Sequence, residues 1–171
     1  MRPSISVVIT AHNAMNTIGK QLAALDDQVA DAGGEIVVAN NRSTDDTVAV
    51  VQVRGERGRA SVRVVTASGR MGISHGRNQG ALASFGAALA FVDADDEVQS
   101  GWIEAALNGL ETHDLVKGMT WSQVPTVRCS GGWLMPTANS LGAISPSGGR
   151  RSSRLVVSMS PYRATAEKIL S

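Results

Sequence analysis

The chain has 171 residues, 43% of them hydrophobic, which is enough for one sizeable core and short for two domains. Its 16 basic and 15 acidic residues give a formal charge of +1, so we expect no nucleic-acid partner and no strong attraction to an anionic surface. The single cysteine, Cys129, excludes an internal disulfide, and the sequence contains no 18-residue apolar run of the kind that spans a membrane.

Apolar runs alternate with helical patterns along the first two thirds of the chain, which is typical of parallel strands joined by crossover helices. The run at residues 6–10 is rich in β-branched side chains and suits a strand buried on both faces. Further strands are predicted at residues 35–39, 61–66 and 88–92. Helices are predicted at residues 16–29, 43–53, 74–84 and 101–110. The sequence STDD at the start of the second helix predicts an N-cap and an acidic first turn.

The composition changes after about residue 120. Residues 130–153 are rich in Gly, Ser, Pro and Arg and show neither strand nor helix periodicity. We therefore divide the chain into an α/β part, residues 1–120, and a segment at residues 121–171 that we expect to be weakly ordered.

Polar residues follow three of the predicted strands, at the positions where open parallel sheets bind ligands. They are Thr10, Ala11, His12 and Asn13 after the first strand, Asn40, Asn41, Arg42 and residues 43–46 after the second, and Asp93, Ala94, Asp95 and Asp96 after the fourth.

The sequence Asp-x-Asp after the fourth strand places two carboxylates at a strand end. Together with phosphate oxygens, such carboxylates ligate hard divalent cations, here Mn²⁺ or Mg²⁺. The same residues also suit a solvated turn that caps the helix at residues 101–110. The spacing by itself favours neither interpretation.

Four blocks occur in order along residues 4–110: SVVITAHN, EIVVANNRSTDDT, GRMGISHGRNQGALAS and AFVDADDEV. Together they resemble the pattern of family 2 glycosyltransferases of the GT-A fold. The resemblance implies a Rossmann-like, mostly parallel sheet flanked by helices, with an incomplete or irregular C-terminal part. It also implies a nucleotide-sugar donor and a divalent metal.

Site residues are carried over from the family block by block. The implied nucleotide contacts are Thr10, Ala11, His12, Asn13, Asn40, Asn41, Arg77, Asn78 and Ala94. The implied metal ligands are Asp93 and Asp95, with Asp96 close by.

Some of these positions depart from the family pattern, which usually has an aromatic residue at His12 and acidic residues at Asn40 and Asn41. An amide offers a donor where a carboxylate only accepts, so the base preference stays open. His12 suits either stacking on a base or capping the sheet. The two asparagines also suit a turn, and Arg77 also suits a surface charge on a helix.

The resemblance implies a single displacement with inversion, in which a carboxylate base takes the acceptor proton and the metal stabilises the departing nucleoside diphosphate. In the family the base lies in a Glu-Asp motif after a segment resembling Gly-Gly-Phe-Asp. This chain contains neither, and its only acid beyond residue 120 is Glu167. The catalytic base is therefore unassigned.

The C-terminal segment itself suggests an explanation. Residues 151–171, back-translated with permitted codons and read two nucleotides on, can yield FEPVGGFDESLPGDGGEDIE, which is similar to the missing family segment. We therefore expect residues 121–171 to be a truncated or out-of-frame acceptor-side segment. Stop codons in that frame of the gene would exclude this.

Three other interpretations stay open. One is a non-catalytic nucleotide-sugar-binding module or an inactive relic, and another is an inert truncated product. The third is a different α/β protein that cradles phosphate in the glycine-rich residues 69–80, although these contain neither GxxxxGK[ST] nor GxGxxG.

The acceptor is expected to be a glycan, lipid or protein. We expect a cytoplasmic location, including peripheral association at the inner face of the membrane, and leave the oligomeric state open.

Overall fold

A computed structural model describes residues 3–117 and 154–157. Its elements, in chain order, are β1 (Ile5–Ala11), α1 (Ile18–Asp31), β2 (Glu35–Asn40), α2 (Thr47–Arg57), β3 (Ser61–Thr66), α3 (Ile73–Ala83), β4 (Ala88–Asp93), α4 (Trp102–Thr112), β5 (Leu115–Lys117) and β6 (Arg154–Val157).

The strands form one sheet in the order β3-β2-β1-β4-β6-β5, and every pairing is parallel. The chain runs outward from β1 to β3 and then returns to β4 on the other side of β1. The strand order therefore reverses between β1 and β4, which is where open α/β sheets bind ligands. The predicted α/β fold with a mostly parallel sheet is confirmed.

The central strand β1 is covered on both faces, as its continuous apolar run predicts. Ile5, Val7 and Ile9 belong to the main core, which also contains buried residues of α1, α2 and α4. The alternate residues Val8 and Thr10 point to the opposite face and pack against α3. Full burial of an aliphatic side chain stabilises a fold by about 1.5–3 kcal/mol, so this strand anchors both layers.

Two glycines bring the backbone of α3 close to β1. A Cβ on Gly76 would lie 2.3 Å from Thr10 Cγ2, and a Cβ on Gly80 would lie 2.3 Å from Val8 Cγ1. A larger residue at either position would push the helix away from the strand. This close approach places Arg77, the neighbour of Gly76, beside the carboxyl end of β1.

The predicted strands and helices before residue 111 are all present, with one correction. The second helix begins at Thr47 rather than at residue 43, and no acidic residue lies in its first turn. The N-cap is Asp46, the last residue of STDD, but its side chain makes no cap bond, so the predicted helix start and acidic first turn are wrong. The residues between Asn41 and Thr47 instead form a loop that bonds the loop after β1.

The sequence did not predict β5 and β6. The strand Arg154–Val157 lies between β4 and β5 in the sheet. The rest of the segment predicted to be weakly ordered, together with Cys129, lies outside the described residues. Within residues 3–117, no helix combines the length and the apolar character needed to cross a membrane.

Candidate functional site

The three polar clusters predicted from the sequence lie at the carboxyl edge of the sheet. The register places Thr10 of β1 opposite Asp93 of β4 and, on the other side, opposite Ala39 of β2. One step further, Ala11 lies opposite Asn40. The ends of β1, β2 and β4 therefore form one continuous edge, which includes the point where the strand order reverses.

An ion pair lies at the centre of this edge. Arg77 Nη2 on α3 donates to Asp93 Oδ1 at the end of β4, at a distance of 2.9 Å. The side chains of Arg77 and Asp93 are only 25% and 15% exposed, respectively. Arg77 is therefore not a surface charge on a helix. It is held over the acidic motif.

Two polar atoms beside this ion pair are buried and find no hydrogen-bond partner among the described residues, namely Thr10 Oγ1 and Arg77 Nε. Such a group costs about 1–3 kcal/mol, and native proteins rarely leave one except where water or a ligand completes it. Both groups donate hydrogen bonds, and phosphate oxygens accept them. This edge therefore offers buried donors to an anionic ligand.

The acidic motif itself forms a turn in which the Asp96 N–H lies 3.3 Å from the Asp93 carbonyl. Ala94 is buried, whereas Asp95 is exposed. The alternative of a turn that caps α4 is not supported, because α4 begins at Trp102 after a left-handed Gly101 and the N–H of Ile103 in its first turn donates to Gln28 Oε1 at 3.4 Å.

The carboxylates at this edge determine what kind of divalent-cation site the chain can form. No three His, Cys, Asp or Glu side chains in residues 3–117 converge as a ready-made metal cluster. Asp93 and Asp95 supply two carboxylates. Mg²⁺ usually binds through one or two carboxylates and completes its coordination with substrate phosphates and water. The residues therefore fit a cation that arrives with a diphosphate and do not fit a closed protein cage.

Asn41 has a role that the sequence did not reveal. Its side chain is buried, and Nδ2 donates to the carbonyl oxygens of Ala67 (2.7 Å) and Arg70 (2.8 Å). Its Oδ1 accepts from the Gly72 N–H at 3.1 Å. Both amide donors are thus engaged in shaping the loop before α3. A nucleotide contact through Asn41 stays a prediction.

His12 lies exposed at the end of β1, and its ring is fixed by one bond. Nδ1 lies 2.8 Å from the Asn41 carbonyl oxygen. Because a carbonyl only accepts, Nδ1 carries the proton, and Nε2 of the neutral ring is left as an acceptor. The ring is therefore held across the ends of β1 and β2, in a position compatible with either predicted role.

Hydrogen bonds join the loops after β1 and β2. Asn13, in the left-handed region with φ of 50°, donates its N–H to Ser43 Oγ at 3.1 Å. Asp45 Oδ2 accepts from the Met15 N–H at 3.1 Å. The side-chain bond from Thr47, together with backbone bonds, lowers the pKa of Asp45. The sequence placed Asn13, Ser43 and Asp45 in the polar clusters after the first two strands, and it also assigned Ser43 and Asp45 to the start of a helix. It did not show that the two clusters are joined by hydrogen bonds.

The remaining predicted residues occupy less central positions. Asn40 Oδ1 accepts from the Ser43 N–H at 3.0 Å, as the turn interpretation expects. Asn78 is half-buried on α3.

An open parallel sheet whose strand order reverses beside polar groups and buried donors belongs to the class of α/β proteins that bind ligands at that point. A sequence profile described as "Glycosyl transferase family 2" matches residues 6–129, which include every predicted site residue. The chain belongs to glycosyl transferase family 2.

A curated relative supports the assignment. The protein is 31% identical over 136 residues to "Uncharacterized glycosyltransferase YibD" of Escherichia coli (strain K12). The match includes 72% of this chain and 39% of the relative, so the chain spans well under half the length of that protein.

Solved structures share the fold. S. aureus TarS in complex with UDP-GlcNAc superposes with a TM-score of 0.62 at 24% identity, over 76% of this chain and 38% of TarS. Glucosyl-3-phosphoglycerate synthase from Mycobacterium tuberculosis, in complex with Mn²⁺, UDP and glucosyl-3-phosphoglycerate, superposes with a TM-score of 0.57 at 24% identity. The match includes 68% of this chain and 44% of the synthase. The mannosyltransferase PcManGT from Pyrobaculum calidifontis, in complex with GDP-Man and Mn²⁺, superposes with a TM-score of 0.54 at 24% identity. The match includes 62% of this chain and 32% of PcManGT.

Proposed function

We propose that the protein binds a nucleoside diphosphate sugar at the carboxyl edge between β1, β2 and β4, as the donor-binding part of an inverting, metal-dependent glycosyltransferase. Residues 1–120 would form this donor half. The proposed location is the cytoplasm, including the inner face of the membrane.

The observation that carries the proposal is the group formed by Arg77, Asp93 and Thr10. A guanidinium with spare donors and a buried hydroxyl lie beside a carboxylate at the point where the strand order reverses. A diphosphate needs both hydrogen-bond donors and positive charge, and Arg presents its N–H groups in a geometry that matches phosphate oxygens. The nucleotide-bound relatives described above support this choice of ligand.

The proposed reaction is a single displacement at the anomeric carbon of the donor sugar. An acceptor hydroxyl oxygen forms a bond to that carbon while the bond from the carbon to the β-phosphate oxygen breaks. The nucleoside diphosphate leaves with the electron pair, and the hydroxyl proton goes to a carboxylate base. Attack opposite the leaving group inverts the configuration. The acceptor is a glycan, lipid or protein hydroxyl.

The residues of this chain bind and orient the donor. Arg77 binds phosphate oxygens through its free N–H groups, and Thr10 donates from the floor of the site. His12 and the bonded loops at Asn13 and Ser43 form the wall beside the nucleoside. Asp93 and Asp95 would hold the divalent cation, which when bound supplies positive charge to the departing diphosphate.

A thermal-shift titration tests the binding step. The purified chain is titrated with UDP, GDP and other nucleoside diphosphates and their sugars, with and without Mn²⁺. A ligand that binds only the folded state stabilises it by about 2.7 kcal/mol at a hundred times its Kd. One nucleotide class should raise the Tm in a metal-dependent manner.

Two variants complete the test. Asp95→Ala should abolish the metal-dependent part of the shift. Glu97→Ala removes a like charge from an exposed position two residues away and should preserve the shift. If the folded wild-type chain shows no shift with any nucleotide, or if both variants behave alike, donor binding at this edge is excluded.

A non-catalytic nucleotide-sugar-binding module is the second candidate. It is favoured by the acid content of the chain, because Glu167 is the only acid beyond residue 120 and the family's Glu-Asp motif does not occur. Loss of a general base typically lowers a rate by about two to four orders of magnitude. Measured release of nucleoside diphosphate in the presence of acceptors would support the transferase, whereas metal-dependent binding without turnover would support the module.

A further inference from the structure

Arg77 carries the positive charge nearest to the carboxylate that would receive the cation. Its Nη2 is bonded to Asp93 Oδ1, whereas its buried Nε–H has no partner in the described part of the chain. The guanidinium is therefore bound on one side and has donors to spare on another. This arrangement suits a side chain that changes partner when an anion arrives.

Asp93 is correspondingly screened from a cation. Opposite charges in contact at a partly buried site attract more strongly than they do in bulk water. Any cation that approaches Asp93 in this arrangement must displace Arg77 or remain beside it, and both cost free energy. Asp95, by contrast, is exposed on the turn and open to solvent, and the ion pair of Arg77 is with Asp93.

We infer that Arg77 is an exchangeable counter-ion that makes the divalent cation bind after, or together with, the nucleoside diphosphate. Without nucleotide, Arg77 neutralises Asp93 and keeps the affinity for a free cation low. When the diphosphate binds, its oxygens draw the guanidinium toward them and release Asp93 to the cation. The inference rests on the proposed function and adds an order of binding to it.

This arrangement predicts that one variant, Arg77→Met, binds Mn²⁺ more tightly and nucleotide more weakly than wild type. Arg77→Met removes the positive charge and keeps an unbranched side chain that suits a helix. Mn²⁺ alone should bind about tenfold more tightly, because Asp93 loses its competing counter-ion. UDP or GDP should bind more weakly without metal, because the phosphate loses its guanidinium donors. A residue that only supports the fold would lower both affinities.

The experiment is a pair of titrations on the full chain. Free Mn²⁺ is followed by electron paramagnetic resonance as MnCl₂ is added to wild type and to Arg77→Met, and UDP and GDP are titrated calorimetrically in the presence of EDTA. Circular dichroism confirms that each variant is folded, and Arg77→Gln replaces Arg77→Met if the latter unfolds. An unchanged or lower affinity for Mn²⁺ alone in the folded variant overturns the inference.

Two controls separate charge from structure. Arg77→Lys keeps a positive charge beside Asp93 and should leave the Mn²⁺ affinity near the wild-type value. Arg59→Met removes a positive charge from exposed ion pairs with Asp27 and Asp31, far from the acidic motif in sequence. It should also leave the Mn²⁺ affinity near the wild-type value. An increase in either variant equal to that of Arg77→Met also overturns the inference. If no nucleotide binds to wild type, the proposed function fails, and the Mn²⁺ titration still decides the counter-ion role.

Discussion

Two arginine–carboxylate pairs lie at opposite edges of the same sheet, and both have an N–O distance of 2.9 Å. At the amino edge Arg63 pairs with Glu35, and at the carboxyl edge Arg77 pairs with Asp93. The pairs look alike by distance and differ in how completely their other polar groups are bonded. That difference separates a structural pair from a ligand site.

The amino-edge pair is fully engaged. Glu35 accepts from the Ser6 hydroxyl at 2.6 Å, the Phe85 N–H at 2.7 Å and two nitrogens of Arg63. Arg63 also donates to the Ala83 carbonyl at 2.8 Å and lies 4.9 Å from the centre of the Phe85 ring. Burial raises the pKa of Glu35, but the bonds from Ser6, Phe85 and Arg63 outweigh it, so the net pKa is lowered.

The carboxyl-edge pair leaves two buried donors, Arg77 Nε and Thr10 Oγ1, without partners in the part of the chain that the structure describes. Buried polar groups are stable when fully bonded and costly when partly bonded. The amino edge therefore joins β1, β2, β3 and the chain before β4, whereas the carboxyl edge leaves donors that the proposed ligand would bond.

Removal of Glu35 should have the largest effect on stability. Glu35→Ala leaves Ser6, Phe85 N–H and Arg63 without their common acceptor, and breaking a buried pair in this way costs about 3 kcal/mol. Chemical denaturation should show a loss of this size. Nucleotide affinity, measured under folding conditions, should stay close to wild type, since the site lies at the other edge. A loss below about 0.5 kcal/mol, the range of ordinary surface substitutions, would contradict the structural role.

The same residue predicts a pH dependence. Because the pKa of Glu35 is lowered from its ordinary value of 4.5, its contribution is complete above that value and is lost as the pH falls through the lower folded pKa. The free energy of unfolding of wild type should therefore fall in acid. Glu35→Gln, which cannot titrate, should be less stable near neutrality and should lose less on acidification. Parallel pH profiles for the two proteins would refute this assignment.

Glycine substitutions on α3 test how the carboxyl edge is positioned. Both Gly76→Ala and Gly80→Ala place a Cβ 2.3 Å from a β1 side chain, so each should cost about 1–3 kcal/mol from overpacking, partly offset by better helix propensity. Gly76→Ala should also weaken nucleotide binding strongly, because it displaces Arg77 and Thr10. Gly80→Ala meets Val8, farther from the site, and serves as the matched control. Equal losses of affinity in both variants would refute the positioning role.

The sequence predicted the α/β order because burial on both faces leaves a continuous apolar run, as in β1 and β2. It misplaced the start of α2 because Ser43 and Asp45 bond a loop that is distant in the chain, and such tertiary partners leave no local signal. The short strand Leu115–Lys117 escaped prediction for a different reason, because three residues carry too little periodicity.

The candidate site could be predicted in part. The rule that ligands bind at strand ends identified the residues after β1, β2 and β4. It could not show that the side-chain amide of Asn41 bonds backbone groups of the loop before α3, or that Arg77 pairs with Asp93. Both depend on how α3 and its preceding loop pack. The glycines four residues apart, Gly76 and Gly80, were the available signal for that close approach.

A smaller effect is expected at Gln21, a fully buried residue of α1 that supports the chain after the acidic motif. Its Oε1 accepts from the Val98 N–H at 3.0 Å. Gln21→Leu should lower the free energy of unfolding by about 1 kcal/mol, the net value of one hydrogen bond. Metal-dependent nucleotide binding should weaken measurably, since the turn at Asp95 loses an anchor, whereas binding without metal should not change. Calorimetry with and without Mn²⁺ distinguishes this selective loss of metal-dependent binding from a purely structural loss. A structural loss would lower the nucleotide affinity both with and without metal.

The most direct test of the difference between the two edges is an amide NMR titration of the full chain with UDP and with GDP, each in the presence of Mg²⁺. Ligand binding at the incomplete edge should shift the amide signals of Ala11, His12, Asn41 and Asp96 and leave those of Phe85 and Gly86, beside the Glu35 pair, in place. Shifts confined to Phe85 and Gly86, or the absence of any shift with either nucleotide, would contradict the assignment of the carboxyl edge as the donor site.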